Sequence, residues 1–401
     1  MTNSRMKVLH LGKFYPPHMG GIETHVQVLA WELQQRVDVE VLVASETTED
    51  EEFVDGDIKV TRVGTRFKIS GAPVCPGLAR RIRLAKADIV HLHLPNPPAI
   101  LSYLASGQRG PVIATYHSDI VRQQFLAKAF DPILRIFLKS CAAVIATSSQ
   151  YVESSPILAE FADRCRVIPY GIPLMQFSAC DDEEVAKIRK QFGPRIIISV
   201  GRLIYYKGFE HLVEAMSHID GYLLIVGEGH LREHLEGVAR TNGTAGKITF
   251  LGEIHNRDIV PFYRAADVFA LASVARSEAF GIVQLEAMAC GKPVVNTSLD
   301  SGVPFVSLAG KTGLTVPPGD PLALAGAINQ LLDYPVLREA YGLAARLRVE
   351  EEFDKEVMSE RIFELYNEVL GLPYAEKNEY AVALTPIGTS SSPELGGSAI
   401  S

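Results

Sequence analysis

The chain has 401 residues, of which 47% are hydrophobic and 21% charged, with a formal net charge of -8. This length predicts two or three domains with enough chain for two cores, and the composition is that of an ordinary soluble protein. The acidic balance argues against general nucleic-acid binding, because a phosphate-binding surface usually carries a strong basic excess.

The cysteines are odd in number and scattered, with no C-x-x-C pair: Cys75, Cys141, Cys165, Cys180 and Cys290. This pattern indicates a reducing compartment, unpaired thiols and no structural zinc. No apolar run reaches the roughly 18 residues that span a bilayer. The N-terminal segment has only a short apolar stretch before Lys13 and no cleavage-site pattern, so we do not predict a signal peptide. We therefore expect a cytoplasmic protein.

The first strand is predicted at residues 7–12, and a loop after it opens a helix that runs to about Gln35. Gly20 and Gly21 stand directly before this helix, where the backbone can approach an anion without an intervening side chain. The fingerprint is not G-x-G-x-x-G, so a dinucleotide site is not expected. Taken alone, a Gly-Gly pair is more often a simple turn.

Further apolar runs in the first half alternate with helical or loop segments, and they predict strands at 37–44, 58–63, 87–94, 112–116, 143–146 and 166–169. Strands that alternate with helices favour a parallel, doubly wound sheet. Ligands of such a sheet bind at the carboxyl ends of its strands.

Two of these strand ends carry histidines. His91 and His93 lie two residues apart on one strand face, and His117 and Asp119 follow the next strand. An H-x-H pair suits a metal, but no third ligand is evident nearby, and hydrogen-bonded histidines at the edge of a cleft are the more frequent case. His117 is the stronger candidate for ligand contact, because a loop at a strand end can aim an imidazole at a ligand.

The stretch 121–140 mixes phenylalanine, isoleucine and leucine with arginine and lysine. Such a segment is compatible with an anionic membrane surface, and a basic cluster upstream at Arg80, Arg81, Arg83 and Lys86 keeps this option open. The favoured interpretation is a pair of core-facing helices broken near Pro132.

Residues 171–194 contain no apolar run of the kind that predicts a strand, and they are rich in proline, glycine and charged residues. We therefore place an interdomain linker there. A second series of alternating elements follows, with strands predicted at 195–200, 222–226, 248–251, 268–271 and 293–296. The chain thus divides into an N-terminal domain, 1–180, and a C-terminal domain, 190–354. The small, polar tail 371–401 is predicted to be disordered.

Two cations lie in the first loop of the second series, GRLIYYKG. Arg202 and Lys207 both fall between strand and helix, so both can converge on one anion at the strand's end. Taken alone, such a pair is more often solvated surface charge. Its position in a Rossmann-like half favours a role in binding a diphosphate.

The stretch SEAFGIVQLEAMACG, residues 277–291, places Glu278 and Glu286 eight residues apart. A short helix is predicted to begin just after Glu278 and to end at Gly291. Were the stretch all helix, the two carboxylates would be about 12 Å apart along the axis. That is the reach from sugar to ribose of a nucleotide sugar whose diphosphate lies over the helix N-terminus. An ordinary exposed helix with two solvated glutamates remains the alternative.

Together these residues resemble the retaining glycosyltransferases of family four, whose two Rossmann-like domains face each other across a cleft in the architecture called GT-B. The resemblance covers residues 6 to 370, and its most specific parts are SEAFGIVQLEAMACGKPVV and GRLIYYKG. It implies that a C-terminal helix, 355–370, crosses back onto the N-terminal domain.

The resemblance also implies roles for individual residues. Glu278 would contact the donor sugar, Glu286 the ribose, and His117 the sugar near the anomeric carbon. The diphosphate would be held by Arg202, Lys207 and the amides around Phe280, Gly281 and Ile282, faced by Gly20 and Gly21; Ile254 would border the base. Departures at Ala279, Ala272 and Pro173 remove no charged group, so they bear only on loop shape.

A hexosyl transfer from a UDP- or GDP-linked sugar to a glycan or lipid-linked acceptor is the expected activity. Cations and helix amides would stabilise the departing phosphate without a metal or cofactor. Because no nucleophile stands out, same-face attack is favoured over a covalent intermediate. A nucleotide-sugar epimerase or phosphorylase, and a non-catalytic nucleotide-sugar-binding subunit, remain alternatives.

Overall fold

Parallel strands build a separate sheet in each half of the chain. The computed structural model describes residues 5–18, 20–119, 124–178, 181–255 and 258–372. The predicted disordered tail lies outside the described residues from residue 373 onward. Cys180 also lies outside them. No helix in these ranges is both long and apolar enough to cross a membrane.

The first unit contains ten strands and six longer helices among the described residues. The strands are β1 (Lys7–Leu11), β2 (Asp38–Ala44), β3 (Glu51–Asp55), β4 (Ile58–Val63), β5 (Phe67–Ile69), β6 (Ala72–Val74), β7 (Ile89–Leu94), β8 (Val112–Tyr116), β9 (Ala143–Ala146) and β10 (Cys165–Val167). The helices are α1 (Gly21–Leu33), α2 (Leu78–Ala85), α3 (Pro97–Ser106), α4 (Gln124–Ser140), α5 (Ser149–Ser154) and α6 (Pro156–Glu160).

Eight of these strands form one sheet in the order β10-β9-β8-β7-β1-β2-β4-β3. All pairs are parallel except β3 with β4, and β5 pairs with β6 in a separate antiparallel hairpin. Strands β7, β8 and β9 are buried along their whole length because helices cover both faces of the sheet. The strands predicted from apolar runs are confirmed within two residues, whereas the largely exposed β3 and β5 and the short β6 were not predicted.

The second unit begins with two helices, α7 (Met175–Ser178) and α8 (Asp182–Phe192). The remaining elements, in chain order, are β11 (Ile196–Val200), α9 (Phe209–Ala215), β12 (Tyr222–Val226), α10 (Arg232–Thr241), β13 (Ile248–Gly252), α11 (Val260–Ala265), β14 (Val268–Ala270), α12 (Val283–Ala289), β15 (Val294–Thr297), α13 (Val303–Val306), β16 (Gly313–Val316), α14 (Pro321–Asp333), α15 (Pro335–Glu352) and α16 (Lys355–Leu370). Its sheet is wholly parallel, in the order β13-β12-β11-β14-β15-β16.

This strand order reverses direction between β11 and β14, as in dinucleotide-binding folds. Loops after two strands that flank such a reversal diverge, and the crevice between them is where α/β sheets bind ligands. In the second unit these loops are 201–208 and 271–282. In the first unit the corresponding crevice lies between β1 and β7.

Two sequence predictions are wrong in detail. The segment expected to be a linker contains helix α8, which is capped by Asp181, ends at Gly193 with φ 93°, and buries Ile188 in the core of the second unit. The segment around Pro132 forms a single helix, α4, rather than two. Pro132 cannot donate a backbone hydrogen bond, which costs helix stability. Burial of Phe137 and Leu138 in the helix's C-terminal half offsets this loss.

Helix α16 returns to the first unit and completes its core, as the family resemblance implies. Met358, Ile362 and Leu365 pack with residues of α1 and the first sheet. Lys355 Nζ lies 2.5 Å from Glu32 Oε1, and the Tyr366 hydroxyl lies 2.6 Å from His91 Nδ1.

Five histidines meet in the same region, between the first sheet and helices α1 and α16. His10 of β1 and His91 of β7 are neighbours in register, and His93, His117 and His25 of α1 complete the group. All five are buried. The expectation that no third ligand lies near His91 and His93 is therefore wrong, because β1 and α1 supply His10 and His25.

A hydrogen-bonded chain runs through three of these rings. His10 Nδ1 lies 3.0 Å from His93 Nε2, and His93 Nδ1 lies 3.1 Å from His117 Nε2. Two sets, His10 with His91 and His93, and His25 with His93 and His117, bring ligand atoms within 4.8 Å. Since both nitrogens of His93 already pair with imidazoles, the arrangement favours hydrogen-bonded histidines over metal ligands. The expected lack of a metal stays a prediction.

We predict that this cluster makes the fold acid-labile. Burial lowers the pKa of His10 and His25 to about 3, and burial with neighbouring imidazoles lowers the pKa of His91 and His93. Below the ordinary histidine pKa of about 6.5, the unfolded chain therefore binds more protons than the folded protein. The free energy of unfolding is highest above about pH 6.5. As the pH is lowered further, it decreases by up to about 1.4 kcal/mol per pH unit for each imidazole.

Urea unfolding between pH 7.5 and 5.5 measures this slope. The variant His25→Leu removes one imidazole whose ring nitrogens form no hydrogen bond with a described group. Its unfolding should take up one proton fewer, so its free energy of unfolding should change less steeply with pH. A free energy of unfolding that does not change over this range contradicts the prediction.

Candidate active site

The loops after β11 and β14 are held together by a close backbone contact. Gly208, with φ 64°, lies so near Ala272 that a Cβ at this position would sit 2.0 Å from the Ala272 carbonyl oxygen. The Val274 amide donates to the Tyr206 carbonyl oxygen at 2.8 Å. Only glycine fits this position, and the contact fixes the residues just before it against the second loop.

Lys207 and Glu278 form an ion pair across the reversal point of the second sheet. Lys207 Nζ lies 2.6 Å from Glu278 Oε2, and the side chains are 11% and 9% exposed. The Ser273 hydroxyl donates to the same Oε2 at 3.0 Å. Glu278 Oε1 accepts no hydrogen bond from the described residues, and an ammonium has three donors, so both groups can also bind a ligand.

Three backbone amides beside this pair have no acceptor in the part of the chain that the structure describes. They belong to Phe280, Gly281 and Ile282, immediately before α12. Gly281 has φ 73° and the helix begins at Val283, later than the position just after Glu278 that the sequence predicts. The segment between the two glutamates is thus mostly a loop with amides free to bind an anion.

Glu286 of α12 is half-buried. The Tyr263 hydroxyl donates to its Oε2 at 2.7 Å. Burial raises the pKa of Glu286, while the Tyr263 hydrogen bond and the charge of Lys207 lower it. The opposing oxygen, Oε1, has no partner among the described residues and is free to accept from a hydroxyl.

Arg202 and Ile254 lie on the same edge of the sheet, without contact to the ion pair. The Arg202 guanidinium is exposed and reaches the Tyr206 hydroxyl at 3.4 Å. Ile254 is half-buried two residues after β13. Their predicted contacts with diphosphate and base stay predictions.

The glycine pair of the first unit faces the same place from across the cleft. A Cβ added to Gly21 would lie 3.9 Å from Ile282 Cδ1 of the second unit. The Glu23 carboxylate lies so close to Gly20 that a Cβ added to Gly20 would be 2.1 Å from Glu23 Oε2. A phosphate would therefore approach Gly21 more easily than Gly20, because a carboxylate already occupies the space next to Gly20.

His117 lies at the base of the cleft, 2% exposed. Its Nε2 pairs with His93, and its Nδ1 lies 2.5 Å from the Tyr170 hydroxyl. Burial lowers the pKa of His117, so the ring is neutral near pH 7. Contact with a sugar stays a prediction, and a sugar hydroxyl would have to replace one of these two partners.

Residues to which the sequence analysis gave no binding role join the two units around this site. The Tyr170 and Phe280 rings pack edge-to-face with centroids 5.0 Å apart. Arg276 Nη2 of the second unit lies 3.2 Å from Asp119 Oδ2 of the first. Asp119 and Arg276 lie within two residues of predicted site residues, and that proximity was their only signal in the sequence.

Comparison with known families matches both halves of the chain. The family described as Glycosyltransferase Family 4 matches residues 19–176, and Glycosyl transferases group 1 matches residues 181–348. The solved structure of Anabaena HepE in complex with UDP superimposes with a TM-score of 0.74 at 22% identity, covering 90% of this chain and 100% of that one. That likeness shows the shared fold.

Two relatives are similar over nearly their whole length. The D-rhamnosyltransferase WbpZ of Pseudomonas aeruginosa is 32% identical, over 87% of this chain and 92% of its own. The O-antigen chain mannosyltransferase C of Escherichia coli is 30% identical, over 91% of this chain and 99% of its own. With two Rossmann-like units, an ion pair at the reversal point and these matches, the chain belongs to glycosyltransferase family 4.

Proposed function

We propose that this glycosyltransferase moves a hexose from a UDP- or GDP-linked sugar to a glycan or lipid-linked acceptor of the cell surface, with retention of anomeric configuration and without a metal. The relatives named as rhamnosyl- and mannosyltransferases support hexosyl transfer, and the one that acts on O-antigen chains supports a surface glycan. HepE, with its bound UDP, supports a nucleotide donor.

The observation that carries this proposal is the Lys207–Glu278 pair beside unpaired amides. The donor diphosphate would lie over Phe280, Gly281 and Ile282, with Lys207 donating to a phosphate oxygen while it keeps its contact with Glu278. The free Oε1 of Glu278 would accept from a sugar hydroxyl. Glu286 Oε1 would accept from the ribose.

Bond cleavage places negative charge on the departing phosphate and positive charge on the sugar ring. Amides and an ammonium already in position stabilise the phosphate charge at no reorganisation cost. The Glu278 carboxylate stabilises the ring charge from the other side. The acceptor attacks on the same face, and its proton passes to the departing phosphate oxygen, so no base from the protein is needed.

The epimerase, phosphorylase and non-catalytic alternatives are less well supported, because both relatives described above are named as transferases. Two incubations separate the enzymatic alternatives. With donor alone, an isomerised sugar indicates an epimerase. With a glycan and phosphate, release of a phosphorylated sugar indicates a phosphorylase.

We predict that the stereochemistry and metal dependence follow this mechanism. An α-linked donor should give an α-linked product, read from the anomeric proton by NMR within the first turnovers. Addition of EDTA should leave the rate unchanged. A β-linked product, or a rate lost with EDTA and restored by a divalent ion, contradicts the proposal.

Loss of either member of the ion pair should abolish most transfer. Lys207→Ala and Glu278→Ala are each expected to lower kcat by about 10²–10³-fold, the loss found for a single transition-state donor. Each also leaves a buried charge unpaired, which lowers stability. The double variant Lys207→Met, Glu278→Gln removes both charges and should recover stability without recovering transfer.

The matched controls are Lys247→Ala, whose ammonium donates to the Ile219 carbonyl oxygen, and Glu350→Ala, whose carboxylate accepts from Arg346 on α15. Both should transfer at the wild-type rate. Recovery of activity in the stable double variant would show that the pair has only a structural role.

We further propose that the protein is cytoplasmic and contacts the membrane through the first unit. Helix α2 exposes Arg80, Arg83 and Leu84, and α4 exposes Lys128 and Ile136. Exposed apolar side chains among cations suit an anionic lipid surface.

The protein should therefore sediment with vesicles that contain anionic lipid, and much less with neutral ones. The variant Leu84→Asp, Ile136→Asp should weaken this binding and leave transfer to a short soluble acceptor unchanged. Equal sedimentation with both vesicle types would show that attraction between the exposed cations and anionic lipid does not contribute to membrane binding.

A further inference from the structure

A cavity of about 410 Å³ opens in the first unit, at the carboxyl ends of β1 and β2. Its walls come from the loop after β1, which holds Phe14 and His18, from the loop after β2, which holds Ser45 and Glu49, and from Arg62 of β4. Small-molecule sites usually have volumes of about 300–1,000 Å³, so one or two sugar rings are of the right size for this space.

The cavity lies beside the donor side of the cleft. His18 in its wall precedes Gly20 by two residues, and consecutive Cα atoms are about 3.8 Å apart, so the two Cα atoms are at most about 8 Å apart. Gly21, the next residue, faces Ile282 beside the unpaired amides. A molecule in the cavity can thus present one end to the sugar of a bound donor.

The walls combine aromatic rings with hydroxyls. The Phe14 and His18 rings pack with centroids 4.3 Å apart, and Tyr15 lies buried beside them. The Ser45 and Thr47 hydroxyls, which also belong to the walls, lie 3.1 Å apart. A sugar ring has an apolar C–H face and a rim of hydroxyls, which matches walls that contain both aromatic rings and hydrogen-bonding groups.

The cavity also carries an excess of negative charge. Four carboxylates line it, those of Glu46, Glu49, Asp50 and Glu51. Asp50 pairs with Arg81 at 2.8 Å, and Glu46 Oε1 lies 3.0 Å from His18 Nδ1, which leaves Glu46 Oε2 available. Arg62 already binds Glu51 at 2.6 Å and donates to the Pro16 carbonyl oxygen at 2.6 Å. Glu49 has no ion-pair partner among the described residues. A phosphate or carboxylate on the bound molecule would meet like charge here, whereas neutral hydroxyls would find acceptors.

We infer that this cavity holds the terminal sugar of an uncharged glycan acceptor and discriminates against acceptors that carry phosphate or carboxylate on that sugar. The inference rests on the proposed transferase function and names its acceptor class. Glu46 and Glu49 accept hydrogen bonds from the sugar hydroxyls, and the Phe14 and His18 rings cover its apolar face.

Binding of matched acceptor analogues in the absence of donor tests the inference. The probes are octyl α-D-mannoside and octyl N-acetylglucosaminide, each with its 6-phosphate, titrated calorimetrically at low ionic strength. At least one neutral glycoside should bind, with its phosphate about tenfold weaker, a difference of about 1.4 kcal/mol. The difference should shrink near 1 M salt, where the screening length falls to about 3 Å.

Charge variants make the test specific. In the double variant Glu46→Gln, Glu49→Gln the ratio of the dissociation constants of the phosphorylated and the neutral glycoside should be smaller. In Glu49→Lys the phosphorylated analogue should bind at least as well as the neutral one. The matched control is Asp163→Asn, an exposed aspartate next to β10 at the opposite side of the sheet, where removal of one charge should change neither affinity. Thermal unfolding of each variant confirms that it is folded.

Equal or tighter binding of the phosphorylated glycosides to the wild-type protein overturns the inference, as does an unchanged preference in Glu49→Lys. Failure of every glycoside to bind overturns it as well. Titration with UDP and GDP and a transfer assay test the proposed function separately. A protein that binds nucleotide and glycosylates a phosphorylated acceptor refutes only the acceptor class, whereas one that binds no nucleotide refutes the transferase proposal.

Discussion

The ion pair between Lys207 and Glu278 is the interaction on which the site depends. It links the two loops that diverge where the second sheet reverses its strand order, and its burial makes either partner costly to lose. Gly208 makes the pair possible, because only a residue without a Cβ lets the first loop approach Ala272. Backbone geometry, ion pairing and the orientation of the free amides are therefore one local structure.

Aromatic and imidazole rings couple the two units at the base of the cleft. Tyr170 packs on Phe280 of the second unit and binds His117 of the first, which in turn pairs with His93. Tyr170 thus connects the base of the cleft, at His117, with Phe280 of the second unit.

Much of this architecture was predictable because it rests on local signals. Runs of valine, isoleucine and leucine located the buried parallel strands, and the GRLIYYKG and SEAFGIVQLEAMACG stretches located both loops of the second crevice. Exposed strands such as β3 and β5 carry no such run and were missed. Helix α8 was taken for a linker because its charged surface hid its apolar face, although Asp181 and Gly193 marked its ends.

The long-range partners were not predictable from spacing. Which imidazoles join His91 and His93 depends on the register of β1 against β7 and on the placement of α1, and neither follows from a single sequence. The same holds for the ion pair of Asp119 with Arg276, whose members are 157 residues apart. Single-sequence patterns find elements and loops, whereas tertiary packing decides which side chains meet.

The return of α16 to the first unit has a consequence for synthesis on the ribosome. Four of its side chains, ending with Tyr366, belong to a core whose other members lie before residue 170. The N-terminal unit therefore cannot finish folding as it emerges, but must wait for the whole C-terminal unit to follow. A nascent chain that stops short of this helix leaves apolar surface uncovered, which marks it for chaperones and proteases before it can act on any sugar.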